Sequence, residues 1–380
     1  MMYDAIVLGA GIAGSSMALS LARQGWNTLL VDRHSFPRHK VCGEFLSPES
    51  QSMLKALGLQ EALDQIGPVL ITRTRLIFNR GKQLEIPLPG TALGISRYRL
   101  DSELHRGALR AGVQVQTDTT VTSVYTSGSG YLVEAMQSKR RVAYQARIVI
   151  AAWGANPRAG LPGSSQPERS LKDRYMGVKS HFSGIGKEPV VELYFFPGGY
   201  LGISPVENGY VNAAALLRQG TFGHTEDKSV LGMIHAAAGR NSRLSGRLAD
   251  AVPAAGTQAA VAPVNLKREL LAWNVVPQVG DATVMIPPLC GDGMSMALRS
   301  AELCAPLAGG YLRGKISLQE WEHLYTQSVL REFQRPLRWG RRLQWMFGVP
   351  VLPRLVLGAA QFTPRLAFGM VQATRLSDHS

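Results

Sequence analysis

The chain is poor in cysteine, short of acid and without any long apolar run. Its 380 residues include three cysteines, Cys42, Cys290 and Cys304. An odd number with no metal-ligand spacing argues against a disulfide framework and a zinc site, and points to a reducing, cytoplasmic setting with no metal. No apolar stretch is long enough to span a bilayer. The apolar start, Tyr3–Leu8, runs straight into a glycine turn, which is not the pattern of a secretory signal. Asp and Glu number 27 against 41 Lys and Arg, a formal charge of +14. No nucleic-acid recognition motif accompanies that charge, so nucleic acid is not an expected partner. Hydrophobic content of 45% and charged content of 18% are those of a globular protein with a sizeable core, and no internal repeat is present.

Glycine is what the chain has. GAGIAG, Gly9–Gly14, follows the apolar run and opens a helical pattern, so it reads as strand, tight turn and helix N-terminus. Gly9 makes the turn, Gly11 lets a pyrophosphate approach the backbone, and Gly14 lets helix and strand pack closely. Free N–H groups and the helix dipole favour the anion. A second strand, Asn27–Val31, ends in Asp32, placed to accept hydrogen bonds from an adenosine ribose, with Arg33 beside it. The pattern predicts a dinucleotide site.

The second glycine-rich segment, GDATVMIPPLCGDGMSMALRSA at Gly280–Ala301, resembles the flavin-binding block of the flavoprotein monooxygenase and geranylgeranyl reductase superfamily, which has the para-hydroxybenzoate hydroxylase type of fold. The resemblance implies that the cofactor is FAD. It implies that Gly280 and Asp281 bind the ribityl chain, and that Gly291 and Gly293 form a loop opening a helix at Met294 and Ser295 that points at the flavin. ISRYRLDSEL, Ile95–Leu104, is similar to the family's arginine-containing helix head. There Arg97 would approach FAD, or else it is a solvated turn residue. Ala111–Val115 and Val121–Tyr125 would be strands near the adenine, with Val121 at the site.

HKVCGEFLSPES, His39–Ser50, is similar to the KxCGG-type loop that lies beside the flavin ring in the reductases and related enzymes. Cys42 is then a candidate catalytic thiol and proton donor, or else a small buried hydrophobe. Glu44 replaces the family's second glycine and is either a catalytic base or substrate anchor, or a loop acid. Three departures stand out. The DGxxSxxR segment reads WGANPR, with Trp153 where Asp is expected and a displaced Arg158, so NADPH or NADH need not dock in the usual manner and a separate reductase protein is an alternative donor. The reductases' YxWxFP signature is reduced to YLGISP, Tyr200–Pro205. The halogenases' WxWxIP is absent.

The expected architecture is mixed α/β. A Rossmann-like FAD-binding domain (1–56, 91–160 and 272–317) is interleaved with an antiparallel β-sheet substrate domain (57–90 and 161–271), and a helical C-terminal region (318–380) follows. Leu70–Phe78, Tyr175–Phe182, Val190–Phe196, Tyr200–Pro205 and Gly209–Leu216 read as sheet strands, Arg147–Ala152 as a strand of the nucleotide domain, and Ser164–Ser170 as a polar linker. Tyr194, Phe195, Phe196 and Tyr200 are candidate substrate contacts, or plain core. Arg331, Arg335, Arg338, Arg341, Arg342, Arg354 and Arg365 face a single acid, Glu332, and alternate with Phe333, Leu337, Trp339, Leu343, Trp345, Met346 and Phe347. That helix would touch an anionic membrane, shelter an apolar substrate, or pack its aromatics on the core. The resemblance implies one of two reactions on a hydrophobic small molecule. The first is hydroxylation of an aromatic or polyketide-like substrate by molecular oxygen through a C4a-hydroperoxyflavin. The alternative is reduction of a prenyl or lipid carbon–carbon double bond.

Overall fold

Alternating apolar residues build two large sheets in a computed structural model that describes residues 2–79, 83–157, 161, 174–348, 369 and 375–376. The first, six-stranded sheet has the order Gln114–Gln116, Thr28–Val31, Met2–Leu8, Arg140–Ala151, Gly130–Gln137, Thr119–Ser127. Its centre is parallel: Met2–Leu8 lies between Thr28–Val31 and Arg140–Ala151, with Ile6 opposite Leu29 on one side and Val149 on the other. Ala5, Ile6 and Val7 are fully buried, as parallel strands covered on both faces must be. One face is covered by helices Ile12–Arg23, Arg97–Arg110 and Gly293–Leu312, which pack together in one apolar core.

The second sheet runs Val252–Pro253, Tyr175–Ser183, Val211–Arg218, Gly199–Pro205, Val190–Phe196, Val69–Phe78, Leu84–Gly94, Phe45–Leu46, with Ala259–Val264 on the other side of Tyr175–Ser183. All pairs are antiparallel except Val190–Phe196 with Val69–Phe78. Helix Val230–Ala238 packs on one face. The mixed α/β class read from the sequence is the observed one.

Several boundaries move. Arg140–Ala151 starts seven residues before the expected Arg147, because it extends as the partner of Gly130–Gln137. Ala111–Val115 does not form a strand as such: Arg97–Arg110 ends only at Arg110, Gly112 takes φ +89, and the strand is Gln114–Gln116. Gly209 belongs to a 3₁₀ turn at φ +85, and its strand is Val211–Arg218. The 318–380 region begins with one helix, Leu318–Gly348. Ser164–Ser170, Arg158, Arg354, Arg365 and the side chain of Phe347 lie outside the described residues. Among the described residues no helix is long and apolar enough to cross a membrane.

Candidate functional site

The first glycine turn is tight for steric reasons. Gly9 has φ +113, and a Cβ there would collide with the Ala152 carbonyl; one on Gly14 would overlap the Gly9 carbonyl oxygen. A Cβ on Gly11, by contrast, would meet only the Arg97 guanidinium at 3.8 Å, so the turn is open on that side. Asp32, 7% exposed, braces it: Oδ2 accepts from Ala10 N and Oδ1 from His34 N, both at 2.8 Å. Each oxygen keeps a lone pair for a hydroxyl. A cavity of about 330 Å³ opens here, lined by Gly9, Gly11, Asp32, Arg33, Arg38, Lys40, Val121 and Trp153 among others. Within it the buried Trp153 Nε1 and Arg38 Nε find no hydrogen-bond partner. Unpaired helix N–H groups, cations and orphaned donors fit a pyrophosphate and its adenosine. Trp153, out of pattern in the sequence, supplies a donor where an acceptor was expected.

The second glycine segment returns to the same place from the far end of the chain. Gly280 (φ +64) abuts the first helix, where a Cβ would stand 2.8 Å from that of Ala13, and its N–H donates to Ser300 Oγ at 2.7 Å. The half-exposed Asp281 acts electrostatically on both Lys40 and Arg97. Gly291 (φ +76) lies against the Phe45 ring, and around Gly293 a Cβ would meet open space. Met294 is core, and Ser295 Oγ donates to the Asp292 carbonyl at 2.9 Å. Those two side chains are spent on packing and on that bond.

Under the second sheet lies an apolar cavity of about 260 Å³. Val41, Cys42 and Gly43 line it while Lys40 lines the polar cavity, so the chain passes from one to the other in a single residue step. Leu76, Ile86, Leu193, Phe195, Leu216 and Val264 supply much of the wall, and Cys290 and Gly291 stand opposite Cys42's segment. Burial raises the Cys42 thiol above its ordinary pKa, outweighing Arg97, so at neutral pH the sulfur keeps its proton. The buried hydroxyls of Tyr200 and Ser204, both in this wall, have no partner.

The four aromatics expected against a substrate divide by strand alternation. Tyr200 lines the cavity, but Tyr194 and Phe196 do not. They belong to the opposite face, packed under helix Val230–Ala238, where Tyr194 OH donates to Glu192 Oε2 at 2.6 Å and Phe196 meets Phe222 edge-on. Phe195, between them on the strand, faces the cavity as expected, because period-two geometry turns it to the opposite side.

Glu44 also differs from expectation. It is fully buried at φ +55 and does not line the cavity. Oε1 accepts from Arg97 N and Lys179 Nζ, both at 3.0 Å, and Oε2 lies 2.5 Å from His181 Nε2. Burial alone would raise its pKa; the His181 bond and Lys179 outweigh that and hold it ionised. Committed on both oxygens, it supports the site rather than acting as base. Lys179 Nζ, itself fully buried, also stands 3.1 Å from His39 Nδ1 and 3.0 Å from His181 Nε2. His39, Glu44 and His181 are spaced like metal ligands, within 4.8 Å of one another, but the ammonium among them already supplies the positive charge. Arg97, 5% exposed, forks onto Asp101 with two 2.7 Å bonds; it is no solvated turn residue.

Sequence reasoning missed Lys179, His181 and Ser204. The signal was present: Gly177, Lys179 and His181 alternate along a strand otherwise buried, which marks one polar stripe on one face.

Comparison with known proteins agrees with this geometry. The chain is 29% identical over 318 residues to digeranylgeranylglycerophospholipid reductase 2 of Methanopyrus kandleri, covering 81% of this chain and 76% of the reductase. It is 25% identical to the menaquinone reductase of Mycolicibacterium smegmatis over 98% of this chain and 90% of that one. A myxobacterial chondrochloren halogenase shares the fold at TM-score 0.78 and 20% identity, with 98% and 91% of the two chains covered. A geranylgeranyl bacteriochlorophyll reductase-like protein from Thermoplasma acidophilum does so at 0.73 and 17%, covering 93% and 89%. Residues 2–315 match the FAD binding domain family, and the chain is therefore a member of that family, an FAD-dependent oxidoreductase of the monooxygenase and geranylgeranyl reductase superfamily.

Proposed function

We propose that this oxidoreductase reduces a carbon–carbon double bond in a prenyl-type lipid. One observation carries the reading: a thiol kept protonated, Cys42, lies in the wall of an apolar cavity, two residues along the chain from Lys40 in the polar cavity. Gly9, Gly11 and Gly14 with Asp32, Arg33, Val121 and Trp153 would hold the adenosine and pyrophosphate of FAD. Arg97, Asp281, Gly291 and Gly293 would hold its ribityl and ring end. Bound FAD, once reduced by NADPH, NADH or a separate reductase, supplies a hydride. The chain's own part is to hold the alkene in a water-free pocket and to give the Cys42 Sγ proton to the carbon next to the one that takes the hydride. The double bond gains two electrons and two hydrogens, and the thiolate recovers its proton from water.

The similarity to two prenyl-lipid and quinone reductases over most of this chain supports this reading. So does the lining, which is mainly aliphatic once Tyr194 and Phe196 are seen to face away. Hydroxylation of an aromatic or polyketide-like molecule, the first reading of the sequence, loses two of its four aromatic contacts and keeps Phe195 and Tyr200.

The test is single turnover of the reduced protein without oxygen on a geranylgeranyl lipid and on menaquinone. Product heavier by two hydrogens, with one deuterium from deuterated water, is expected. Cys42→Ser should retain FAD and slow the step by about 10²–10⁴-fold. A product that forms only with oxygen and is heavier by one oxygen atom would overturn the reading in favour of hydroxylation.

A further inference from the structure

Helix Leu318–Gly348 has two faces with separate duties. The inner face buries Trp321, Tyr325, Val329, Phe333 and Leu337. Further along, Gly340 lies so close to Cys290 that a Cβ would stand 2.9 Å from its sulfur, and Leu343 forms part of the apolar cavity's wall. The outer face carries Arg331, Arg335, Arg338 and Arg342 at steps of three or four residues, with Arg341 alongside, all exposed. Such steps keep the guanidiniums on one side of the helix over about 16 Å. The stripe ends at Trp345, 66% exposed.

Among the described residues no acid pairs with these arginines. The segment's one acid, Glu332, is turned away onto Arg299, with bonds of 2.7 and 3.0 Å. Arg338 Nε donates to the Gln334 carbonyl and Arg341 to the Arg268 carbonyl, neither of which carries a charge. Arg342 lies over the Trp339 ring at 5.3 Å.

We propose that this face rests on an anionic lipid surface and that the cavity behind it takes its substrate from that surface. Cations beside an exposed tryptophan match the headgroup zone of a bilayer, where an indole is stable half in water. A nucleic acid would answer the charge alone. A lipid surface also explains why the charged stripe is the outer side of the cavity's own wall: it brings the apolar substrate to the place where it enters. The delivery half rests on the reductase reading; the docking half does not, and is measured without turnover.

The experiment is co-sedimentation of the FAD-loaded protein with phosphatidylcholine vesicles, with and without phosphatidylglycerol. Binding should require phosphatidylglycerol. Each surface arginine strengthens it about fivefold, so Arg335→Glu, Arg338→Glu and Arg342→Glu together should weaken it at least about a hundredfold, with FAD content unchanged. Tryptophan emission should shift to the blue on binding, and Trp345→Phe should abolish that shift. Failure to bind anionic vesicles, equal binding by the charge-reversed protein, or tighter binding to a duplex oligonucleotide would overturn the proposal. Vesicle binding without any double-bond reduction would sink the reductase reading alone.

Discussion

The polar cavity is walled by one turn's backbone with Asp32, Arg33, Arg38 and Lys40 and, from further along the chain, Thr119, Val121 and Trp153, whereas the apolar cavity is walled by alternate residues of several strands and a few side chains from the second glycine loop. The first glycine turn and most of the charged groups of the polar cavity neighbour one another in sequence. The apolar cavity has no local signature, because its lining residues come from Val41 to Arg375 and meet only in the folded chain. Between them stands a buried ionic knot at Glu44 and Lys179. On the proposed function the contrast separates what would recognise the cofactor from what would select the substrate, and changes on one side should leave the other intact.

The largest effect should come from breaking the knot. Glu44→Gln leaves Lys179 uncompensated and should cost about 3–5 kcal/mol in chemical denaturation. Adding Lys179→Met should recover most of that loss. A double variant as unstable as the single one would show that the pair's charges are not what matters. Next, Gly14→Ala forces a Cβ into the Gly9 carbonyl and should cost about 1–3 kcal/mol. It should lower FAD retention tenfold or more while an apolar dye still binds the second cavity; loss of both would erase the separation.

Smaller still, Tyr200→Phe removes a buried hydroxyl that has no partner, and should leave stability unchanged or raise it by about 1 kcal/mol. A clear loss would mean that the hydroxyl is bonded in solution. The mildest test is acid. Burial, with help from Lys179, lowers the His39 pKa to about 4, below the 6.5 of an unfolded chain. Between those values the unfolded state takes the proton first, so stability falls as pH drops from about 6.5 towards 4 and is at its full value above that window. His39→Asn should flatten this part of the pH profile.

How legible each part was follows the same contrast. Gly9, Gly11, Gly14 and Asp32 could be read because turn, helix start and strand end follow one another in sequence. The parallel strands could be read from their apolar runs. Tyr194 and Phe196 were misjudged because a run of aromatics does not say which strand face meets the cavity. Glu44 looked like an acid entering the site, because neither its φ of +55 nor the ammonium of Lys179, 135 residues on in sequence, shows in a linear chain. Ser204 was overlooked as an isolated polar residue inside an apolar strand, and Lys179 and His181 because their shared face was not read.

The central claim is that the two cavities are the two ends of one cofactor site, with the ring end beside Cys42. Alkylation of Cys42, resolved from Cys290 and Cys304 by peptide mass mapping, tests it most directly. Bound FAD should slow the reaction strongly, and adenosine diphosphate, which fills only the polar cavity, should not. Equal protection by both, or by neither, would contradict the account.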